Sequence, residues 1–316
     1  MSATFVPRAP GAADGIRASA PPDLAIAEPL PDIIPPRKAR GRARRLVARH
    51  PGAVIGGVLL AVVLAMALLA PWIGTVDPTA LSPTQRTRAP SALHWFGTDL
   101  LGRDIYSRVV YGARVSLVIG FSVAALASAA GLAIGLVSGM MRRADGIIMR
   151  IVDGVMSIPP ILLAVALMAL TRGSIGNVIV AITVAEIPRV TRLVRGVVLS
   201  LREQPYVDAA IVSGTRPSTV IWRHILPNSL APMTVQATYI CASAMIAEAI
   251  LSFIGAGVPP STPSWGNIMA EGRALWQVKF TIILFPAIFL SLTVLAVNLV
   301  GDGIRDALDA RMAKDV

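Results

Sequence analysis

The chain contains several runs of about twenty mostly apolar residues, and this feature restricts its fold more than any other. An α-helix needs roughly that length to cross ~30 Å of hydrocarbon. Only 15% of the 316 residues are charged and 54% are hydrophobic, whereas a soluble domain carries roughly 25% charged residues. Because the excess of apolar residues must face lipid, the sequence predicts an all-α integral membrane protein.

Six segments meet the length requirement. They are predicted to span the membrane at 53–73, 115–141, 147–170, 175–194, 229–254 and 280–300. The second contains Ser128, Gly131 and Gly135, small residues that allow neighbouring helices to approach closely. Pro159 and Pro160 are placed to kink the third.

The basic residues are distributed unevenly between the two sides of the membrane. With six spans, 19 lie in segments on the side of the termini and 8 on the other side. Cytoplasmic loops carry the excess of Lys and Arg, so both termini and the loop after the fourth span are predicted to be cytoplasmic. The external loop at 74–114 holds five of the 8, and part of it is predicted to lie along the membrane surface.

The region before the first span divides into two parts. Residues 1–36 are rich in Pro and Ala without helical or strand periodicity, which predicts a disordered cytoplasmic tail. Residues 37–52 form a basic juxtamembrane segment with seven Lys and Arg residues, a cluster that holds this end in the cytoplasm. A nucleic-acid-binding arm is the alternative. The net charge of +11 lies beside apolar segments without an aromatic-rich basic face, so no nucleic-acid partner is predicted.

The loop between the fourth and fifth spans, YVDAAIVSGTRPSTVIWRHILPN at 206–228, is too polar and too broken to cross a membrane. Tyr206 to Ser213 has helical spacing, and Gly214 is predicted to end that helix in a left-handed turn. Pro217 suits the first turn of a second short helix, which Pro227 is predicted to limit. The loop is therefore predicted to form two short helices joined by a fixed elbow.

This loop resembles the EAA loop of ABC-importer permeases. The resemblance is carried by Asp208-Ala209-Ala210, by Gly214 four residues later and by RHILPN at 223–228; Asp208 stands where the family usually has Glu. In that family the loop is the coupling helix, which sits in a groove on the ATPase subunit. The residues implied in coupling are Tyr206, Asp208, Ala209, Ala210, Gly214, Arg223, His224 and Pro227.

Two external stretches strengthen the resemblance. HWFGTDLLGRDIYSRVVYGARVSL at 94–117 and LSFIGAGVPPSTPSWGNIM at 251–269 are similar to the C-type permeases of dipeptide, oligopeptide and nickel importers. The external family motif is Gly97, Asp99, Gly102, Arg103 and Asp104. Its two carboxylates flank the arginine, which predicts a tight turn held by ion pairs. Trp265, in the second stretch, is predicted to sit at the membrane interface.

The resemblance covers the chain from about residue 50 to its end and implies a type I ABC importer permease fold over 53–316, in a bacterial inner membrane. It implies a homologous second permease, two ATPase subunits that bind ATP and Mg, and an extracytoplasmic substrate-binding protein. The implied function is ATP-driven import of di- or oligopeptides by alternating access. Related permeases handle nickel, glutathione and haem, so these substrates stay open.

Catalytic and metal-binding patterns are missing from the sequence. A Walker A loop needs Gly directly before Lys, and none of the three lysines follows a glycine. The histidines at positions 50, 94 and 224 are dispersed, and Cys241 is the single cysteine, so no metal cluster is predicted. The chain is therefore predicted to be neither the ATPase nor another enzyme, and to hold no cofactor of its own.

Three acidic residues lie within or near the spans, where an ionisable group is a functional candidate. Asp153 lies three residues after Arg150, and Glu186 lies three residues before Arg189. Since that is helical pairing distance, both are predicted to pair locally.

Glu248 lacks a nearby cation in the sequence. It and Gln236 are predicted to face the translocation pathway or a partner subunit. Hydrogen bonding between helices explains such polar residues equally well.

The rival class is an ion- or proton-coupled secondary transporter. Such proteins often have inverted repeats and helices broken at the membrane midplane. No convincing repeat is visible, and the sharpest breaks, at Gly214 and Pro217, fall in a predicted cytoplasmic loop. A membrane-bound enzyme would need a convergent polar site, which the sequence does not indicate.

Overall fold

The computed structural model of the protein describes residues 51–312, with side chains described through residue 307. The prediction of a disordered tail at 1–36 lies outside the described residues, as does nearly all of the basic segment at 37–52.

The described chain is helical, and it contains no β-strand between residues 51 and 312. The ten α-helices are α1 (Pro51–Leu68), α2 (Ile105–Met140), α3 (Arg142–Met156), α4 (Pro160–Ala169), α5 (Ile175–Arg202), α6 (Pro205–Val212), α7 (Pro217–Val220), α8 (Leu226–Phe253), α9 (Trp265–Gly272) and α10 (Thr281–Met312). The prediction of an all-α membrane protein is confirmed.

Within the described residues, four helical segments are long and apolar enough to cross a membrane. They are Pro51–Leu68, Ile105–Met140, Pro217–Phe253 and Thr281–Ala307, and the bent pair α3–α4 makes a fifth if counted as one span. The fourth predicted span lies in α5, where Glu186, Arg189 and Arg192 all fall within the first eighteen residues. By length and composition, the described residues therefore contain fewer than the six predicted spans, because these three charged residues keep α5 from meeting the requirement for a span.

The third predicted span is broken rather than gently kinked. α3 and α4 meet at an angle of 85°, and the break lies at Pro159, whose backbone is extended (φ −54°, ψ 132°). The residue before a proline is biased away from the helical conformation, and Pro160 imposes this on Pro159. The position of the kink was predicted correctly. The continuous span was not, because α4, at ten residues, is only ~15 Å long.

The core of the bundle is formed where α2 packs along α5, and small residues allow the contact. A β-carbon added to Gly131 would lie 2.4 Å from Cβ of Val190, and one added to Gly135 would lie 2.7 Å from Cβ of Val194. The predicted role of these glycines in close helix packing is confirmed. α8 packs against α2, and α10 packs against both α1 and α8.

The acidic residues near the spans find different partners. Glu186 pairs with Arg189 at 3.0 Å, as predicted. Asp153 pairs with Arg192 of α5 at 2.6 Å rather than with Arg150 of its own helix. The local pairing predicted for Asp153 is wrong because α3 packs against α5 and brings a different arginine closer.

Glu248 lies inside its own chain. Its side chain is 0% exposed; Ser252 Oγ donates to its carboxyl at 2.8 Å and Ser116 Oγ of α2 at 3.4 Å. The prediction that it faces a pathway or a partner is therefore replaced by the alternative, hydrogen bonding between helices. Gln236 is half-buried, and its Nε2 has no hydrogen-bond partner among the described residues. Its proposed position on the pathway stays a prediction.

Candidate functional site

The helix α6 opens the loop at 206–228 and ends in a defined turn. Pro205 occupies its first turn, where a missing N–H costs nothing. At its end, the N–H of Gly214 donates to Ile211 O and the N–H of Thr215 donates to Ala210 O, each at 3.0 Å. This pair of bonds is the Schellman motif. Gly214 has φ +77°, so the predicted left-handed turn is confirmed.

The second half of the loop is continuous with the following span. α7 passes through a π-helical turn at Ile221–Ile225 directly into α8, and the N–H of Leu226 reaches back to Ile221 O. Pro227 was predicted to limit this helix, and that prediction is wrong. A proline removes one i→i−4 bond, and a π-bulge is one of the structures that absorb such an interruption. The helix therefore runs on from the loop into the membrane segment.

Three apolar side chains anchor the loop to the rest of the molecule. Val207 and Ile225 are 0% exposed and Val220 is 2% exposed. Each belongs to a different part of the loop: α6, the π-helical turn and α7. Because all three parts are anchored, the loop is held against the bundle along its length.

A second set of apolar side chains points away from the molecule. We call it the loop ridge: Tyr206, Ile211, Val212 and Trp222, which are 42%, 57%, 87% and 71% exposed. Large apolar side chains grouped on an exposed surface mark an interaction site. Sequence reasoning selected Tyr206 but missed the other three as surface residues.

The polar residues of the motif lie in the same segment as this ridge. Asp208 and Arg223 are exposed, and the Asp208 carboxylate makes no hydrogen bond or ion pair with the described residues. The ring of half-buried His224 lies 6.0 Å from that of Tyr206 and links the π-helical turn to α6. The segment that holds the eight predicted coupling residues thus presents an exposed carboxylate, an exposed arginine and exposed apolar side chains. Their role in coupling stays a prediction.

The external motif forms a tight turn before α2. Gly102 has φ +79°, and a β-carbon there would lie 1.9 Å from Ser82 O, so the turn accepts only glycine. Gly97 O accepts from Ile105 N at 3.1 Å, and an isolated bridge pairs Thr98 with Asp104. The predicted tight turn is confirmed.

Buried ion pairs hold this turn, and they extend beyond the motif. We call the group the external ion cluster: Asp99, Arg103, Arg108 and Glu271. Asp99 Oδ2 accepts from Arg103 Nε at 2.7 Å, as predicted, and from Arg108 Nη1 at 2.6 Å. Both arginines also bind Glu271 of α9, Arg103 through Nη2 at 2.5 Å. Asp99 and Arg108 are each 1% exposed. Sequence reasoning missed Arg108 and Glu271.

Asp104 does not join these ion pairs. Its carboxylate caps α2 by accepting from Ser107 N at 2.7 Å, and it lies 2.9 Å from His94 Nδ1. The prediction that it pairs with Arg103 is therefore wrong. An Asp just before a helix satisfies an otherwise unpaired N–H there, and Arg103 is occupied by Asp99 and Glu271.

Trp265 is buried rather than interfacial. It is 0% exposed, and its Nε1–H donates to Val109 O of α2 at 3.0 Å. The interfacial position was predicted from residue type, and it is wrong because α9 packs against α2 and α8.

The external arginines are largely engaged inside the chain. Arg103 and Arg108 belong to the external ion cluster, and Arg114 donates to Ala67 O and Leu68 O at the end of α1. Two of the five arginines at 74–114 are therefore neutralised by carboxylates, whereas Arg114 is held by carbonyls and keeps its charge. The number of arginines alone overstates the net positive charge of this region.

Comparison with protein families identifies two matching regions. Residues 131–314 match the family described as binding-protein-dependent transport system inner membrane component. Residues 40–90 match the N-terminal transmembrane domain of oligopeptide transport permease C.

Two relatives cover most of the chain. It is 50% identical over 267 residues to a probable peptide ABC transporter permease of Sinorhizobium fredii, covering 84% of this chain and 91% of that protein. It is 41% identical over 261 residues to a dipeptide transport system permease of Alkalihalophilus pseudofirmus, covering 82% and 86% respectively.

The fold is similar to that of a solved transporter subunit. A chain of the MetNI methionine ABC transporter in an inward-facing conformation superposes with a TM-score of 0.53 at 22% identity, covering 63% of this chain and 95% of that chain. Together with the helical bundle, these matches establish that the chain belongs to the binding-protein-dependent transport system inner membrane components and has the type I ABC importer permease fold.

Proposed function

We propose that this permease carries peptides across a bacterial inner membrane and couples that movement to partner ATPases through the loop at 206–228. The observation that carries the proposal is the loop ridge, whose apolar side chains lie exposed within the segment that carries the coupling motif. The chain is a transport subunit rather than an enzyme, as its family membership implies.

The geometry of the loop suits transmission of force. α6 is fixed by the turn at Gly214, and α7 continues without a break into α8. A displacement of the loop by an ATPase would therefore move α8 as well. In this mechanism ATP closes the ATPase dimer, the loop follows, and the permease halves rock so that the pathway alternates between the two sides of the membrane.

The proposed assembly contains a homologous second permease, two ATPase subunits that bind ATP and Mg, and an extracytoplasmic binding protein. The relatives from Sinorhizobium fredii and Alkalihalophilus pseudofirmus are named for peptide and dipeptide transport. These names support di- or oligopeptides as the substrate class over nickel, glutathione or haem.

Uptake is expected to depend on ATP. When the chain is reconstituted into vesicles with its partner permease, ATPases and binding protein, labelled dipeptide uptake should require ATP on the side of the ATPases. A proton ionophore should leave the initial rate of dipeptide uptake unchanged. Excess unlabelled peptide should inhibit uptake of the labelled dipeptide, whereas excess Ni²⁺ should not. Uptake driven by a proton gradient without ATP would instead identify a secondary transporter.

The loop around Gly214 is expected to be cytoplasmic and Ser261 external. Both Ser213 and Ser261 are exposed, so a cysteine at either position can react with a thiol reagent that is present on its side of the membrane. Cys241, which is buried, is first replaced by serine. An impermeant thiol reagent added to intact cells should label Ser261→Cys and spare Ser213→Cys, whereas labelling at 213 would overturn the orientation.

A further inference from the structure

A polar cavity lies apart from the coupling loop, where α2 ends and α3 begins beside the last turns of α5. It has a volume of about 340 Å³, and its polar lining includes Ser138, Arg142, Asp145, Arg195, Arg202 and Glu203. None of these residues belongs to the predicted coupling set or to the external ion cluster. The transport mechanism proposed above therefore assigns no role to this cavity.

The charges around the cavity do not cancel. Arg195 neutralises Asp145 through two bonds, from Nε at 2.5 Å and from Nη2 at 2.7 Å. Arg202 donates to a neutral carbonyl, Gly139 O, at 2.8 Å and keeps its full charge. Arg142 is exposed and makes no hydrogen bond or ion pair with the described residues. Against these two cations stands a single exposed carboxylate, Glu203.

The backbone adds further donors for an anion. α3 has 15 residues and begins after Met141 without a side-chain cap. The first N–H groups of α3 have no partner within the helix. Asp145 of the first turn lies at this positive end of the helix dipole, and Arg195 neutralises it. Arg142 stands at this same end of α3, so side chain and backbone offer donors in one place.

Exposed apolar side chains lie near the cavity-lining residues along α2 and α3. Val137 and Met141 at the end of α2 are 44% and 56% exposed, and Ile147 and Ile151 of α3 are 64% and 62% exposed. Exposed apolar neighbours would not stabilise a bound soluble anion. They would stabilise a bound phospholipid, because its phosphate would enter the cavity and its acyl chains would cover apolar side chains beside it.

We propose that this cavity binds the headgroup of an anionic phospholipid, with its phosphate held between Arg142 and Arg202. α2, which is long and apolar enough to cross a membrane, ends at Met140 beside the cavity. The lipid site is independent of which substrate the importer carries.

Native mass spectrometry of the full chain in detergent tests the proposal with defined lipids. The wild type should retain phosphatidylglycerol in preference to phosphatidylcholine. Arg142→Gln should weaken phosphatidylglycerol binding about fivefold, and the double change Arg142→Gln with Arg202→Gln about twenty-fivefold, from the contribution of one cationic side chain near an anionic lipid. Phosphatidylcholine binding should stay unchanged.

Matched variants separate charge from folding. Arg150→Gln removes an exposed arginine of the same helix that does not line the cavity, and should bind lipid like the wild type. Arg142→Lys keeps the charge and should restore most of the affinity. Arg202 also bonds the end of α2, so its replacement could affect folding as well as lipid binding. The side chain of Arg142 has no hydrogen-bond or ion-pair partner among the described residues, so the single change at Arg142 decides the outcome.

Two results would overturn the proposal. One is equal phosphatidylglycerol binding by the wild type and by Arg142→Gln. The other is displacement of bound phosphatidylglycerol by millimolar inorganic phosphate, which would assign the cavity to a soluble anion.

Discussion

Replacing Gly214 by arginine is expected to abolish ATP-driven transport while leaving the permease inserted in the membrane. The left-handed backbone at φ +77° costs a residue with a β-carbon about 1 kcal/mol. No atom lies within 4 Å of an added β-carbon, so the chain itself accommodates the substitution. The new side chain would instead add a charge to the exposed segment that is proposed to enter the ATPase groove. A buried charge there should cost at least ~2 kcal/mol of docking energy, which corresponds to about a thirtyfold loss.

The measurement is ATP hydrolysis by the reconstituted complex, with and without loaded binding protein, together with co-purification of the ATPase. Gly214→Ala reports the backbone strain alone and should retain most of the activity. Gly255→Arg is the matched control for assembly: Gly255 has φ +85°, is equally open, and lies on the predicted external side. It should leave ATPase recruitment intact. If Gly214→Arg retained both recruitment and substrate-stimulated hydrolysis, this loop would not be the coupling element.

Removing the charge of Arg108 is expected to be the most destabilising single change in the external region. Arg108 is 1% exposed and bonds both Asp99 and Glu271. In Arg108→Met, Arg103 would be the one cation of the cluster left to these two carboxylates. Breaking a buried ion pair by deleting one partner costs ~3–5 kcal/mol, because the remaining charge is uncompensated. The free energy of unfolding of the purified full chain should fall accordingly, and uptake should fall with it.

The comparison that isolates burial uses two further variants. Arg114→Met removes an arginine of the same helix that is half-buried, bonds two carbonyls and lies over the Tyr111 ring, but pairs with no carboxylate among the described residues. Its effect should therefore be smaller. Glu271→Gln, at a side chain that is 22% exposed, should lie between the two. Equal unfolding transitions for Arg108→Met and Arg114→Met would show that the external ion cluster does not stabilise the fold.

The two predictions concern opposite ends of the same helical frame. The external ion cluster fastens the turn before α2 to α9, and α9 packs against α8 and α10. The loop at 206–228 continues into the other end of α8. In the proposed mechanism, a displacement of this loop would therefore act on a helix that also packs against α9.

Features that depend on neighbours in the sequence were predictable. The turn at Gly214 needs only a helix end and a residue that tolerates positive φ, so the sequence located it correctly. The pair Glu186–Arg189 is three residues apart, and the turn at Gly102 lies within one short segment. The membrane class follows from the apolar runs, because the length of hydrocarbon sets the length of the helix.

Helix ends were less predictable where the backbone absorbs a proline. Pro227 was expected to limit a helix, yet the π-helical turn at Ile221–Ile225 carries the chain past it. Pro159, by contrast, breaks the third predicted span by 85°. The residue type is the same, and the difference lies in whether the surrounding chain supplies another hydrogen-bond pattern.

Local patterns were enough to predict the membrane class, the position of the EAA-like motif and the local turns, since each depends on residues within a few positions of one another. The partners of many charged and polar groups depend instead on packing between distant helices. Arg108 and Glu271 are 163 residues apart, Arg192 and Asp153 are 39 apart, and Trp265 reaches a carbonyl of α2 across 156 residues. A buried charge or N–H must be paired wherever packing brings a partner, and packing is a property of the whole bundle, which no local pattern records.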